Sequence, residues 1–154
     1  MQSKLSSGLL AGRPFGGTAV LVHKRLVSQY VRVPDSRITS IRCKIRSHAD
    51  LVFASLYLPW NENRSVEQYD EYEEALGNLQ GLIDRHIGCN FIFGGDLNVQ
   101  MHSDELPSLF MPNFSDGNHL LWIAPINDSV DYTYHNDVNA HYSLTDHFYV
   151  LLIL

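Results

Sequence analysis

The hydrophobic pattern changes its period near residue 60, and this change constrains the fold most strongly. Residues 51–58 (LVFASLYL) form a continuous apolar run that Pro59 ends, which is typical of a buried strand. From residue 66 onward apolar residues recur at helical spacing, at Tyr69, Tyr72, Leu76, Leu79, Ile83 and Ile87. A further strand-like run follows at 89–94. The sequence therefore predicts a strand–helix–strand unit with one amphipathic helix at its centre.

Both ends of this helix carry signals in the sequence. Ser65 and Gln68 fit a capping box, in which the hydroxyl accepts a bond from the third helical amide and the Gln side chain reaches back. Gly88 suits the left-handed conformation that often follows the last turn. We therefore expect the helix to begin after Ser65 and to end before Gly88.

Upstream of this unit, three further segments predict strands. Residues 17–23, 27–33 and 38–47 are rich in β-branched side chains, and the third alternates imperfectly, as a half-exposed strand would. Together with residues 51–58 they predict a meander of neighbouring antiparallel strands joined by short turns.

The downstream part is less regular. Residues 101–128 are mixed, with a short helix or strand expected at NHLLWIAP, whereas residues 132–135 and 143–154 predict two more strands. Runs of strands with inserted helices favour an α+β layered sandwich. The length of 154 residues fits a single domain over 1–154.

Charge divides the chain into two parts. Residues 1–46 hold nine of the eleven Lys and Arg residues against one acid, Asp35, whereas residues 47–154 hold two basic residues against sixteen acids. Such a chain could bind a polyanion through its basic flank and gather a metal ion through its carboxylates, or the charges could keep two surfaces soluble. No apolar run approaches the ~18 residues of a membrane span, so we expect no membrane partner. The first 17 residues are a poor secretory signal, so we expect an intracellular protein in which Cys43 and Cys89 are reduced.

The stretch FIFGGDLNVQ, residues 91–100, ends an apolar run with a carboxylate and a carboxamide two positions apart. In an extended chain Asp96 and Asn98 lie on the same side. Gly94 and Gly95 carry no side chains, so an anion could approach the backbone closely. The carboxamide could donate to a phosphoryl oxygen while the carboxylate takes up a proton or orients a water molecule. The alternative is a strand-to-loop turn in which Asp and Asn bond their own backbone.

Three further segments carry candidate polar side chains. Tyr57 in SLYLPW ends a predicted strand and could donate its phenol to an oxyanion, or simply pack. Asp146 and His147 are adjacent in the predicted strand SLTDHFYV, so they point to opposite faces unless the strand is bulged or ending. Asp131 in SVDYTY is a further candidate carboxylate.

Taken in this order, the motifs resemble those of the endonuclease/exonuclease/phosphatase family, and more narrowly the apurinic-type endonuclease domain of non-LTR retrotransposons. RPFGGTAVLVHK is similar to the opening of the middle portion of that domain, SLYLPW to its Tyr-x-Pro strand and GGDLNVQ to its Gly-Asp-x-Asn loop. The segments YTYH and SLTDHFYV are similar to its closing region. The matches span roughly residues 12–152.

The resemblance implies a DNase I-like fold, a two-sheet β-sandwich flanked by helices, and Mg²⁺-dependent cleavage of a phosphodiester in DNA. It implies that Asp96 orients or deprotonates the attacking water, that Asn98 holds the phosphate, and that Tyr57 bonds the phosphate or supports the site. A nuclear location would follow from a DNA substrate.

The resemblance leaves two alignments for the closing region. In one, Asp146 and His147 are the family's terminal Asp-His pair, with His147 as the base and Asp131 orienting it. In the other, Asp146 orients a base that lies beyond Leu154. We prefer the second alignment, because a Thr-Tyr pair at 133–134 precedes Asp146 by a suitable interval and a hydrophobic run replaces the family's usual His-x-Pro.

The family also places an Asn and a metal-binding Glu on its first strands, upstream of the matched part, so no residue of this chain is assigned to the metal. We therefore expect a partial domain of this family whose endonuclease activity is weak or lost. Two alternatives are a catalytically inactive remnant that serves as a binding module, and a phosphatase of the same fold that acts on a phosphorylated lipid or small molecule. The basic flank favours nucleic acid as the partner.

Overall fold

The computed structural model describes residues 17–59, 66–99, 106–123, 133–136 and 141–152. Within these ranges the chain forms a mixed β-sheet with two helices and a separate pair of short strands. In chain order the elements are β1 (Ser28–Val31), β2 (Ile38–Cys43), β3 (Leu51–Tyr57), α1 (Val66–Arg85), β4 (Asn90–Asp96), α2 (Leu106–Gly117), β5 (Leu121–Ile123), β6 (Tyr134–Asn136), β7 (His141–Ser143) and β8 (Asp146–Leu151).

The main sheet has the strand order β1-β2-β3-β4-β8-β5. Its first three strands form the antiparallel meander that the sequence predicts. β3 and β4 pair in parallel, because α1 carries the chain back along the sheet between them. β8 lies antiparallel between β4 and β5. The strands β6 and β7 form a two-stranded sheet of their own. The α+β class predicted from the sequence is confirmed.

The helices cover one face of the main sheet. Alternate residues of β3, namely Val52, Ala54 and Leu56, are buried in the same hydrophobic cluster as α1, as a strand with one covered face requires. The buried residues of α1 are Tyr72, Ala75, Leu76, Leu79, Leu82 and Ile83. α2 packs on α1 through Phe110, whose ring stacks on that of Tyr72 with the centroids 6.2 Å apart. Neither helix of the described part is long and apolar enough to cross a membrane.

The opposite face of the main sheet, called the open face below, carries a transverse row of apolar side chains. The strand register aligns one residue from each of the six strands in this row, namely Tyr30, Ile41, Phe53, Ile92, Val150 and Leu121. The two ends of the row are well exposed, at 62% for Tyr30 and 65% for Leu121. Both described helices pack on the other face, so neither of them shields this row.

α1 confirms the predicted helix. It ends at Arg85, so Ile87, which the helical pattern included, is 86% exposed. Gly88 has a φ of +89°, the left-handed conformation predicted for it. Ser65 of the predicted capping box lies outside the described residues.

Several details of secondary structure differ from the prediction, among them β7, which was not predicted. Residues 17–23 form no strand, and the Leu21 side chain is 99% exposed. β-branched composition alone does not make a strand, because a strand needs a hydrogen-bonded neighbour. α2 was not predicted, since Pro112 lies inside it and a proline normally removes a hydrogen bond from a helix interior.

Candidate active site

Three polar side chains meet where β3 and β4 end and β8 begins. Tyr57 lies opposite Asp96 in the parallel register, and Asp96 lies opposite Asp146 in the antiparallel register. Directly opposed residues on neighbouring strands point to the same face. Tyr57, Asp96 and Asp146 therefore form one row, called the rim row below, at the end of the open face.

The rim row is accessible and its central carboxylate is perturbed. Tyr57 is 38% exposed, Asp146 is exposed, and Asp96 is half-buried. Burial raises the pKa of Asp96, and the Asp146 carboxylate raises it further, whereas bonds from the Asn98 amide and the Thr145 hydroxyl lower it. The net shift is upward, so Asp96 accepts a proton more readily than an ordinary surface aspartate.

Asn98 lies in a tight turn directly after the rim row. Its φ is +51°, and its backbone N–H donates to Oδ1 of Asp96 at 3.0 Å. Its side-chain Nδ2 donates to the carbonyl oxygen of Leu58 at 2.7 Å. The turn foreseen as the alternative reading of this stretch is thus present. The turn uses one oxygen of Asp96 and one hydrogen of the Asn98 carboxamide. A carboxamide has a second N–H and an acceptor oxygen, so the turn does not use all the bonding groups of this side chain.

The turn from Leu97 to Val99 is held by α1, by β8 and by the residue before β8. The Tyr72 hydroxyl of α1 donates to the carbonyl oxygen of Leu97 at 3.2 Å, and the Leu97 N–H donates to the carbonyl oxygen of Thr145 at 2.9 Å. The His147 Nε2 lies 3.1 Å from the carbonyl oxygen of Val99. The backbone of the turn is thus bonded to α1, to β8 and to Thr145. These bonds hold Asp96 and Asn98 in a fixed arrangement.

The two glycines before Asp96 serve strand packing. A Cβ on Gly94 would lie 2.2 Å from the Phe148 ring, and a Cβ on Gly95 would lie 2.1 Å from the carbonyl oxygen of Leu56. Gly95 also has a φ of +142°, which side-chain-bearing residues rarely adopt. The expectation that these glycines open the backbone to an anion was therefore wrong, because neighbouring strands already fill that space.

His147 does not join the rim row. It lies opposite Gly95, on the helix-covered face, and is only 3% exposed. Burial lowers its pKa, and its ring meets that of Trp122 edge-on with the centroids 6.0 Å apart. The adjacent Asp146 and His147 thus point to opposite faces, as regular strand alternation requires. The other candidate carboxylate, Asp131, lies outside the described residues.

Two threonines at the site were not foreseen from the sequence. The Oγ1 of Thr133 accepts bonds from the backbone N–H groups of Thr145 and Asp146, at 3.1 and 3.2 Å. Thr145 is buried, and its hydroxyl bonds the Asp96 carboxylate. The sequence does contain a Thr-Tyr pair at 133–134 and a Thr-Asp pair at 145–146, which could have drawn attention to these threonines. Only the fold shows which atoms they contact.

The donor chemistry of the rim row suits a hard cation only in part. Asp96 and Asp146 offer carboxylate oxygens, and Mg²⁺ is commonly held by one or two carboxylates together with water and substrate phosphates. Within the described ranges, however, no group of three or more His, Cys, Asp or Glu side chains could hold a metal ion. The described residues thus supply a fraction of a metal coordination shell.

No family model matches the sequence, and no curated protein sequence matches it either. Solved structures do match. The endonuclease domain of TRAS1, a telomere-specific non-LTR retrotransposon, aligns with a TM-score of 0.60 at 14% identity, over 82% of this chain and 56% of that one. Truncated TDP2 from Caenorhabditis elegans aligns with a TM-score of 0.53 at 13% identity, over 84% and 54%. An AP endonuclease from Archaeoglobus fulgidus aligns with a TM-score of 0.50 at 15% identity, over 72% and 51%.

These matches define the class of fold. The chain has the DNase I-like fold of endonuclease/exonuclease/phosphatase proteins, as its motifs predicted. Within that class, one matching structure is the endonuclease domain of a non-LTR retrotransposon, the kind of domain that the motifs resemble. At these identities the likeness shows the fold alone, and the chain spans about half the length of the proteins it matches.

Proposed function

We propose that the rim row is part of a phosphodiester-hydrolysing site of the DNA endonuclease type. The observation that carries this proposal is the alignment of Tyr57, Asp96 and Asp146 across three neighbouring strands, with Asn98 fixed beside them. A structural turn alone would not need a second carboxylate and a phenol in the same row. The fold supports the proposal, because matching structures include endonucleases.

Each group has a role that its surroundings support. Asp96 orients the attacking water and takes up its proton, since burial and the Asp146 charge raise its pKa. The second N–H of the Asn98 carboxamide, the one that does not bond the Leu58 carbonyl, donates to a phosphoryl oxygen. Tyr57 donates its phenolic hydrogen to the same phosphate from the neighbouring strand.

Mg²⁺ is the cofactor that we propose for this site. When bound, it would neutralise the charge that develops on the phosphate, and Asp146 is the described carboxylate available to hold it while Asp96 takes up the proton. The described residues do not complete its coordination shell. A DNA substrate would place the protein in the nucleus of a eukaryotic cell.

The position of His147 favours the second of the two alignments. Because His147 is buried on the other face, we propose that Asp146 orients a base from a different segment. No histidine of the described residues joins the rim row, and a base of that kind typically contributes about 10²–10⁴-fold in rate. We therefore expect slow cleavage by the groups of the described site.

A plasmid-nicking assay tests the proposal. Supercoiled DNA is incubated with the protein in Mg²⁺ or in EDTA, and conversion to the open circle is measured. We expect slow, Mg²⁺-dependent nicking that Asp96→Asn removes, because the amide cannot take up a proton. Asp70→Asn, which removes an exposed carboxylate of α1, is the matched control and should nick as the unmodified chain does. Nicking that is equal in all three proteins would refute the proposal.

A binding module without catalysis is the second candidate. It is favoured by the lack of a three-ligand metal group among the described residues. Equal background nicking by the chain and by Asp96→Asn, together with retained DNA binding, would support it. Hydrolysis of a phosphorylated small molecule or lipid without plasmid nicking would instead indicate the phosphatase reading.

A further inference from the structure

Basic residues gather at the end of the main sheet that lies far from the rim row. The register pairs Ser28 with Cys43, and the Lys44 N–H donates to the carbonyl oxygen of Val27 at 3.0 Å, so the segments before β1 and after β2 run side by side. These two segments carry Lys24, Arg25, Lys44 and Arg46, which we call the basic end. All four residues are exposed.

Almost no negative charge balances the basic end. No acidic residue occurs among residues 17–34 or 43–49. The nearby carboxylate of Asp50 is engaged with Arg42, whose Nη2 and Nε lie 2.7 and 2.8 Å from Oδ2. A group of exposed cations without neighbouring carboxylates creates a positive potential that attracts anions.

A groove of about 390 Å³ opens beside these cations. It is lined by Val27, Ser28, Gln29, Arg42 and Lys44. Phosphate oxygens of nucleic acids are contacted mainly by Arg and Lys together with Ser, Thr, Asn and Gln side chains and backbone N–H groups. The groove thus offers the Lys44 cation and two neutral polar side chains of the kinds that hold a sugar-phosphate backbone, beside the Arg42–Asp50 ion pair. Among the described strands β1 is the outermost of the main sheet, so the groove lies at an edge of that sheet.

The basic end and the rim row are separate surfaces. Tyr57 lies beyond the Ile38 end of β2, since its N–H bonds the carbonyl oxygen of Arg37, whereas Lys44 follows the other end at Cys43. At about 3.3 Å per residue, the length of β2 places them roughly 20 Å apart. Arg42 also pairs with the buried Val52, so the groove faces the helix side while the rim row faces the open side.

We propose that the basic end and its groove form a second surface that binds the phosphate backbone of a nucleic acid, independently of the rim row. The cations hold the backbone through charge and are insensitive to sequence. Exposed apolar residues beside them, such as Leu26 at 51% and Val27 at 66%, would also suit an anionic membrane. The concave groove with Ser28 and Gln29 in its lining favours a phosphodiester chain over a flat bilayer.

Binding of a fluorescently labelled duplex, and of the matching single strand, is measured by anisotropy in EDTA over a series of salt concentrations. We expect Lys44→Gln/Arg46→Gln to weaken binding roughly tenfold and to make the dependence of log K on log salt shallower by about two. Lys44→Arg/Arg46→Lys keeps both charges and should bind as the unmodified chain does.

Arg32→Gln is the control, since it removes an exposed cation at the other end of β1. The inference fails if this control weakens binding as much as Lys44→Gln/Arg46→Gln, or if the latter binds with unchanged affinity and salt slope while circular dichroism shows it folded. It also fails if Lys44→Gln/Arg46→Gln loses affinity for phosphatidylserine vesicles but not for either oligonucleotide. Because binding is measured without Mg²⁺, nicking that depends on Asp96 can survive this failure, and the two proposals are judged separately.

Discussion

Asp146 lies directly opposite Asp96 across the β4–β8 ladder, where both carboxylates stand at the end of the main sheet. Like charges placed opposite each other destabilise a sheet. Asp96 is also half-buried, and the bonds from Asn98 and Thr145 offset only part of the cost of keeping it ionised. Such an arrangement costs stability, and costs of this kind are typical of sites that bind a cation or act on a substrate.

Asp96→Asn is expected to raise the melting temperature at neutral pH. The pKa of Asp96 is higher in the folded chain than its ordinary value of 3.8, so the ionised form is disfavoured by folding. As pH rises from 3.8 through the raised pKa, the folded state loses stability from this group; below 3.8 the effect vanishes. Thermal melts at neutral and acidic pH measure this, and the gain should shrink towards acid. A variant that melts lower than the unmodified chain at neutral pH would contradict the prediction.

His147→Gln should flatten the acid dependence of stability. Burial lowers the pKa of His147 below 6.5, so the unfolded chain takes up a proton on acidification before the folded chain does. Stability from this group is present above pH 6.5 and is lost as pH falls from 6.5 through the lowered pKa. Denaturant titrations across this interval give the slope. Gln retains a donor for the Val99 carbonyl, so a variant with the same slope as the unmodified chain would contradict the prediction.

Gly95→Ala should destabilise the fold by about 2–4 kcal/mol. Its Cβ would meet the Leu56 carbonyl oxygen at 2.1 Å, and the φ of +142° is strained for alanine. Gly77→Ala is the control, because a Cβ on this glycine of α1 meets nothing within 4 Å. That control should stabilise the chain by about 0.5–1 kcal/mol. Equal effects of the two substitutions on the free energy of unfolding would show that the close contact at Gly95 is absent.

Asn98 should respond differently to glycine and to alanine. Asn98→Gly loses the bond to the Leu58 carbonyl but accepts the φ of +51°, at a cost of about 1 kcal/mol. Asn98→Ala loses the same bond and also lacks the polar side chain that lets Asn adopt the left-handed region. It should therefore cost about 1–2 kcal/mol more than Asn98→Gly. Both variants remove the proposed phosphate donor, so both should lose nicking. Retained nicking in the more stable variant, Asn98→Gly, would remove Asn98 from the proposed site.

The strand–helix–strand unit was predictable because its periodicities are unambiguous. β3, α1 and β4 each carry the apolar spacing of one type of element, and packing on a shared core selects the same answer. Residues 17–23 and α2 were not predictable in the same way. The first has strand composition but no strand in the structure, and the second contains Pro112 yet packs on α1 through Phe110.

The candidate site divides along the same line. The sequence singled out Tyr57, Asp96, Asn98 and Asp146 by motif, and their catalytic roles stay a prediction. It could not separate Asp146 from its neighbour His147, because both are polar and adjacent. Only the position of β8 beside β4 sends Asp146 to the open face and buries His147 against Val99.

The sequence by itself determined the elements that depend on local spacing, namely the principal strands and the long helix. The tertiary structure alone decided which strands are neighbours, and therefore which side chains share a face. The physical reason is that periodicity is written within one segment, whereas register arises from hydrogen bonds between segments that are distant in the chain. The rim row exists only because three such segments align.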